Sequence, residues 1–501
     1  MHILTKLSSL SLLLIFWSFS IFAQNIKNTW IPWSNTNQNK SKKELLGIKG
    51  ESMFFLSFTK DFQPYLENFD HKVQLKWSFK LPSYMTKIEN PKLVTINKKI
   101  YLMYTLQNEN TFESGLFATE ICQDSLNISA TKLLYEHKEN NNNYEFKLWN
   151  FPEINNRFRT ICLTSANSQG LSIVTLRISE QLDIKKISEH ELKSEKAKNS
   201  KTRPMTYPVD LTQNLIGDIC VLIMKKSDSQ IQPIISWEYL ILKNNSEKSA
   251  RGSLNPNNSR ESLRLSPNRT VMHFDILGYS IPQHKTIFRG GNHYRITINE
   301  NNDSIILDRK EWYLAKEVTT KLESIQSFQG NSTSYSNNDI FTKIFARSDS
   351  SIIILTQNNF RTNETMLHYS QGVPYYREIE RYYQNEIIAS CIDHEGIVKW
   401  QQIIPIHNRT DKPNNYNLLN SCLIGNSIII IAKNTSKKSK LENFVYVIDN
   451  NGIVTNGDSN NIISNQNDSV DNLHNVGPNS ILMQMNQNKK GGVVLFQITE
   501  D

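Results

Sequence analysis

The densest group of side chains suited to recognition lies between residues 357 and 385. Its tyrosines and arginines are Tyr369, Tyr375, Tyr376, Arg377, Arg381, Tyr382 and Tyr383. Both residue types are enriched at binding hot spots because each combines a large contact area with a polar end, and aromatic faces also stack on sugars. We predict that the segment is an insertion projecting as a hairpin with one aromatic face, and that it binds a partner. The alternative is that the rings pack on the flank of the fold.

Two further groups of side chains could bind ligands. Three histidines within about twenty residues could gather around zinc, although their spacing fits no standard zinc pattern: His273, His284 and His293. Four arginines in the loop-like segment 250–270 could contact a polyanion: Arg251, Arg260, Arg264 and Arg269. We favour ordinary surface roles for both groups and expect no metal and no cofactor. Nucleic acid is not expected as a partner, because no aromatic–basic strand motif is present.

The composition indicates which elements hold these side chains. The 501-residue chain is 38% hydrophobic and 21% charged with a net charge of +8, which excludes disordered, collagen-like, coiled-coil and multispanning membrane proteins. It contains only 18 Gly but 58 Asn. Asn tolerates the left-handed backbone that tight turns need, so many short strands are expected. No amphipathic helix of twelve or more residues is expected.

The order of the strands is indicated by an internal repeat. Asp70, Lys76 and Trp77 recur with the same spacing as Asp393, Lys399 and Trp400, and a related turn begins at Asp449. Weaker copies lie near four positions: Ile121, Ile178, Leu242 and Ile298. Strand-only units of roughly 50–60 residues are typical of the blades of a β-propeller. The aspartate of each turn is expected to accept backbone N–H bonds, with calcium binding as the alternative.

We therefore predict an all-β fold, a β-propeller of seven or eight four-stranded blades over residues 44–501. The predicted units start near Leu45, Lys92, Tyr144, Met205, Val271, Phe341 and Asn417. A final strand pair near the C-terminus either adds to the first blade or forms an eighth blade, with residues near Trp30 as its outer strand. Trp77 and Trp400 are expected to cover the neighbouring blade.

The five cysteines occur in or beside apolar runs: Cys122, Cys162, Cys220, Cys391 and Cys422. Buried thiols are expected, since free Cys behaves as a small hydrophobe. Cys391 with Cys422 is the pair to check first for a disulfide.

The turn from Asp393 to Trp400, together with the blade-like period and the apolar N-terminus, resembles uncharacterised secreted bacterial β-propeller-like proteins. The turn is also similar to that of quinoprotein-type propeller repeats, Leu-Asp-x-x-x-Gly-x-x-x-Trp. Residues 69–82, 392–405 and 448–454 carry the likeness. The first group implies a fold and no activity. The cofactor-binding residues of quinoprotein enzymes are not located in this sequence, so their redox activity is not implied.

The N-terminus is typical of an exported protein. Lys6 precedes an apolar run, and Ala23 provides a small residue for cleavage, so residues 1–23 read as a signal peptide and the mature chain as beginning at Gln24. A membrane anchor is the alternative, but the run is short for a span and a polar segment, 24–43, follows it. No later run is long enough to cross a membrane. The expected location is periplasmic, cell-surface or extracellular.

Two functions remain open at this stage. The first is a non-enzymatic propeller that binds an envelope protein or a glycan. The second is a carbohydrate-active enzyme, a glycoside hydrolase or lyase, with its site in the central funnel. Familiar motifs for nucleophilic, phosphate-binding, metalloprotease or dithiol chemistry are absent from the sequence. Propeller glycosidases, however, assemble their sites from carboxylates scattered along the chain.

Overall fold

A computed structural model of the protein shows a chain made almost entirely of antiparallel strands. The structure describes residues 26–32, 43–50, 52–59, 61, 63–70, 74–82, 88–107, 114–122, 127–129, 131–137, 146–151, 158–167, 170–193, 205–226, 235–244, 249–254, 259–267, 270–282, 290–298, 305–328, 337–370, 373–406, 408–410, 420–435, 441–457, 469–477, 480–487 and 490–498. The expected signal peptide lies outside these residues. No helix among them is long and apolar enough to span a bilayer.

The strands form eight sheets with four main strands each, here called blades 1–8. Blade 1 contains Lys43–Lys49, Ser52–Phe58, Pro64–Phe69 and Leu75–Lys80. Blade 2 contains Glu89–Ile96, Lys99–Gln107, Ser114–Cys122 and Lys132–His137, with the short addition Asn127–Ile128. Blade 3 contains Lys147–Asn150, Phe158–Asn167, Gly170–Ser179 and Ile184–Lys193. Blade 4 contains Met205–Gln213, Ile219–Lys226, Ile235–Leu242 and Ser249–Leu254.

The second half of the chain repeats this arrangement. Blade 5 contains Ser259–Leu265, His273–Pro282, Gly290–Ile298 and Ile305–Tyr313. Blade 6 contains Asn337–Ala346, Ile352–Ser370, Val373–Ile392 and Val398–Ile404, with the short addition Asn408–Thr410. Blade 7 contains Asn420–Ile424, Ser427–Thr435, Leu441–Ile448 and Val454–Gly457. Blade 8 contains Ser469–Gly477, Ser480–Gln487, Lys490–Ile498 and, as its outer strand, Ile26–Pro32.

The blades follow one another around a closed ring. Apolar side chains of each blade from 1 to 6 pack on those of the next blade. Blade 7 contacts blade 8 through their first strands. Leu482 of blade 8 then packs with Met53 and Phe55 of blade 1, which closes the ring. First strands contact each other between several neighbouring blades, so they lie nearest the axis. This is an eight-bladed β-propeller, and the predicted fold class is confirmed.

The N-terminal strand completes the last blade. Ile26–Pro32 pairs antiparallel with the last strand of the chain, and Trp30 lies opposite Val494. This pairing is the eight-blade arrangement considered from the sequence. It protects an edge of the sheet that would otherwise present unpaired backbone groups.

The repeated turn has the structure that the sequence indicates. Trp77 lies opposite Asn68 and Trp400 opposite Cys391, and the register shifts at the next residue in both blades. The Asp393 carboxylate accepts the backbone N–H groups of Glu395 at 2.9 Å and Ile397 at 2.8 Å. The aspartate therefore shapes the turn.

Trp400 covers the next blade, as expected. Its Nε1 lies 3.3 Å from the backbone oxygen of Asn450, and its ring leaves no room for a side chain at Gly452, where φ is +82°.

Two expectations about individual elements are wrong. The first strand of blade 5 is Ser259–Leu265, within the segment read as a loop, and Val271 lies only just before the second strand. An α-helix of 13 residues, Lys316–Phe328, links blades 5 and 6 where no helix was expected. Two of its apolar residues, Val318 and Leu322, are buried against blades 5 and 6.

All five cysteines are free thiols, and four of them are buried. Cys391 and Cys422 therefore form no disulfide. Burial raises the pKa of Cys422 to about 12, which makes its thiol a poor nucleophile.

Candidate functional site

The predicted insertion is a two-stranded extension of blade 6. Pairing with the first strand ends at Asn337 opposite Arg361, and the short strand Asn408–Thr410 ends opposite Tyr382. Beyond these points residues 362–370 and 373–381 pair with each other, and no third described strand joins them. We call these residues the ribbon. At the usual rise per residue it extends about 30 Å past the sheet.

The ribbon carries aromatic rings on both faces, so the expectation of one aromatic face is wrong. Leu367 lies opposite Tyr376, and His368 lies opposite Tyr375. Neighbouring residues of a strand point to opposite faces, so Tyr375 and Tyr376 lie on different faces. One face carries Tyr369 and Tyr376, and the other carries Tyr375 and Arg377.

Large apolar side chains at the outer end of the ribbon are exposed. Tyr376 is 76% exposed, Tyr369 is 69% exposed and Val373 is 66% exposed, and Met366, Leu367 and Tyr375 are exposed as well. Isolated two-stranded hairpins are marginally stable in water, and clustered exposed apolar groups mark interaction sites. The outer end of the ribbon is therefore the best candidate for a recognition surface.

The seven candidate residues do not all share this end. Tyr369, Tyr375, Tyr376 and Arg377 are exposed there, whereas Tyr383 is half-buried at the base of the ribbon. Arg381 and Tyr382 have assigned strand positions, but their side chains lie outside the described part of the structure. Sequence reasoning missed Leu367 and Val373, whose aliphatic side chains give no signal until the pairing register is known.

A buried polar cluster lies where blade 5 faces blade 6. Asp275 Oδ1 is 2.8 Å from His293 Nε2 and accepts a hydrogen bond from Arg295 Nε at 2.9 Å. His273 Nε2 lies 3.4 Å from the other carboxylate oxygen. Burial raises the pKa of Asp275, but the hydrogen bonds from His273, His293 and Arg295 outweigh it and hold the pKa well below its usual range.

This cluster holds the turn at 393–396 of blade 6. Arg295 Nη2 donates to the backbone oxygen of His394 at 2.6 Å, and Lys310 Nζ donates to that of Glu395 at 2.7 Å. A Cβ at Gly396 would lie 2.6 Å from His293 Nδ1. Two of the three histidines considered for zinc thus pack around Asp275, and His284 lies outside the described residues. No metal-binding group of three or more His, Cys, Asp or Glu occurs among the described residues.

The arginines of segment 250–270 do not form one patch. Arg251, on the outer strand of blade 4, binds Glu238 through Nε at 2.9 Å and Nη2 at 2.6 Å. Arg264 lies on the first strand of blade 5, near the axis. The side chain of Arg260 and all of Arg269 lie outside the described residues.

Two buried glutamates have pKa values above the ordinary value for glutamate. Burial raises the pKa of Glu261, in blade 5, to about 7, although Tyr294 OH and Asn292 Nδ2 donate to its carboxylate. Burial likewise raises the pKa of Glu386, in blade 6, to about 7.

Comparison with known proteins gives no family. No protein-family model matches the chain, and no curated protein sequence matches it. The resemblance to secreted bacterial propeller proteins therefore has no support from a family match.

The chain is similar in structure to three solved proteins. The WD40 domain of SCAP from fission yeast is 10% identical, with a TM-score of 0.40 over 95% of this chain and 98% of that chain. The β-propeller domain of the trilobed protease from Pyrococcus furiosus is 11% identical, with a TM-score of 0.33 over 87% and 96%. An α-L-arabinanase from Penicillium chrysogenum is 10% identical, with a TM-score of 0.32 over 57% and 98%. Such low scores carry no argument, so the fold rests on the order and closure of the eight sheets.

Proposed function

We propose that the protein is a non-enzymatic binding propeller that recognises a protein partner through the ribbon. The observation that carries the proposal is the exposure of Tyr369, Tyr376 and Val373 on two strands that extend beyond the blade. Eight packed blades hold the base of the ribbon, so its outer end is presented on a rigid body. Tyr supplies a large contact area with little rotamer entropy to lose on binding.

A protein fits this surface better than a glycan does. Sugar-binding sites combine a flat aromatic face with converging polar groups, whereas Leu367 lies beside Tyr376 and aliphatic Val373 caps the ribbon. The unpaired edges of the two strands also offer backbone N–H and C=O groups to which a partner strand could add.

Removing the rings should weaken binding of the partner without unfolding the propeller. Tyr369→Ala/Tyr376→Ala removes two exposed rings from one face, so its melting temperature should match that of the unchanged protein. We expect binding of a partner captured from an envelope fraction, then purified and titrated, to weaken by about tenfold or more. The matched control is Tyr313→Ala, which removes a tyrosine that is 68% exposed on blade 5; binding should not change.

A variant without the ribbon tests recognition of the partner separately from folding. Joining Arg361 to Tyr382 through Asn-Gly replaces the ribbon with a tight hairpin at a paired position. The product should fold and lose the partner. Retained binding by either variant, or capture of a glycan that both variants also bind, would contradict the proposal.

Export to the cell envelope is part of the proposal. It rests on the apolar N-terminus with the small residue Ala23. Mass spectrometry of the mature protein should place its N-terminus at Gln24 or within a few residues of it. Recovery of the uncleaved chain from the membrane fraction would contradict cleavage.

The second candidate function is a carbohydrate-active enzyme. One observation favours it: Glu386, with its pKa near 7, could act as a general acid. Glycosidases require a second carboxyl about 5–10 Å away. Hydrolysis of a polysaccharide that is abolished in Glu386→Gln and retained in Tyr369→Ala/Tyr376→Ala would replace the binding proposal with this one.

A further inference from the structure

The axis of the propeller is lined by cations on several first strands. Lys92 lies on blade 2, Lys147 on blade 3, Arg264 on blade 5 and Lys343 on blade 6. We call these four residues the basic ring. Lys92 and Lys147 are exposed, while Arg264 and Lys343 are half-buried. None of the four has a carboxylate within salt-bridge distance among the described residues.

Hydrogen bonds between first strands connect two members of the basic ring, Arg264 and Lys343, to the next blades. Asp210 of blade 4 accepts the backbone N–H of Leu265 of blade 5 at 3.1 Å. Arg264 Nε donates to the backbone oxygen of Thr342 of blade 6 at 3.2 Å. Lys343 Nζ, next along the strand, donates to the backbone oxygen of Ser421 of blade 7. Each of these bonds joins the first strand of one blade to the first strand of the next.

Lys147 belongs to blade 3. Its Nζ lies 4.2 Å from the centre of the Trp149 ring. Burial is the main cause that lowers its pKa, Lys92 and Arg264 lower it further, and Asp210 alone opposes them. Blades 2, 4 and 5 thus all act on one ammonium group. Solvent reaches Lys147 while protein surrounds it, as expected for a side chain in a channel.

The arrangement is unfavourable without a counterion. Burial also lowers the pKa of Arg264 and of Lys343, so folding disfavours the charged form of three of the four cations. Asp210 is the one carboxylate among the charges acting on Lys147, and it cannot neutralise the whole basic ring. Like charges gathered in a concave site surrounded by protein raise the local concentration of oppositely charged ligands.

We propose that the basic ring binds a small multivalent oxyanion, bearing phosphate or carboxylate groups, in the central channel of the propeller. Arg264 offers a planar fork that matches either group, and Lys92 and Lys147 add mobile point charges. The four positive charges of the basic ring exceed the one negative charge of Asp210 by three, so a ligand with about three negative charges would suit the site. This site is separate from the ribbon and does not depend on the partner proposed for it.

Calorimetric titration with two probes tests the site. Tripolyphosphate represents a phosphate ligand and citrate a carboxylate ligand, and the probe that binds more tightly identifies the source. We expect saturable binding of one anion per chain at low salt, weakening as sodium chloride is added. The absence of saturable binding for both probes would overturn the proposal.

The variant Lys92→Gln/Lys147→Gln localises the binding. Both side chains are exposed, so the protein should fold, and its ligand-free melting temperature should stay the same or rise because repulsion is removed. The association constant for the preferred probe should fall by about tenfold or more. The control Lys185→Gln removes an exposed lysine from the outer strand of blade 3 and should bind normally. Unchanged affinity in the double variant, or an equal loss in the control, would overturn the proposal.

Discussion

Replacing Asp275 by alanine is expected to lower the free energy of unfolding by about 3 kcal/mol, because it leaves the buried His293 and the half-buried Arg295 without their carboxylate. The loss should also free the turn at 393–396, which Arg295 holds through the backbone oxygen of His394. Urea unfolding at pH 7 measures the effect. Glu120→Ala, which removes the more exposed ion pair with Lys99, is the control and should cost much less.

The stabilisation by Asp275 is expected to depend on pH. The pKa of Asp275 is lower in the folded than in the unfolded protein, so its stabilisation is present above the unfolded value near 4 and is lost as the pH falls below it. The difference in stability between the unchanged protein and Asp275→Ala should therefore shrink between pH 5 and pH 2. A difference that is constant with pH would show that packing, and not the charge of Asp275, is responsible.

Raising the pH from 5 to 8 is expected to destabilise the protein through Glu261 and Glu386. Each has its pKa raised from 4.5 to about 7 by burial, so the stability associated with the protonated form is lost as the pH rises through about 7. A shift of this size corresponds to as much as about 3 kcal/mol for each group. Urea unfolding at the two pH values measures the loss.

The matched variants are Glu386→Gln and Glu261→Gln. Glutamine keeps the shape of the protonated acid and cannot ionise, so each variant should remove its share of the loss between pH 5 and 8. Glu44→Gln, which changes an exposed glutamate on blade 1, should leave the pH dependence as it is. If Glu386→Gln and Glu261→Gln lose as much stability between pH 5 and 8 as the unchanged protein does, Glu386 and Glu261 are not the groups that titrate.

The repeat made the blades predictable from the sequence. The weak copies near Ile121, Ile178, Leu242 and Ile298 all lie at the ends of third strands, in blades 2, 3, 4 and 5. Turn chemistry explains this. A turn shaped by its own side chain, such as that of Asp393, needs particular residues at fixed positions, and these remain visible in a single sequence.

Elements whose exposed face differs from what their residue pattern suggests could not be predicted from the sequence. The first strand of blade 5 carries Arg260 and Arg264, and a strand with such charged residues reads as a polar loop. The distribution of the ribbon's side chains between its two faces could not be predicted either, because it depends on the pairing register. The cluster at Asp275 also depends on pairing, since Arg295 lies directly opposite Asp275 across two strands. Spacing along the chain contains no information about such a pair.

Pairing of Ile26–Pro32 with Lys490–Ile498 makes blade 8 depend on two strands that are far apart in the sequence. A ribosome produces Ile26–Pro32 long before Lys490–Ile498, so this outer strand has no sheet to join until the other seven blades have been made. The pair is antiparallel, with Ile26 opposite Ile498. Tension applied between these two residues would therefore open the hydrogen bonds of the pair one after another, as in a zipper, while the other seven blades carry no load.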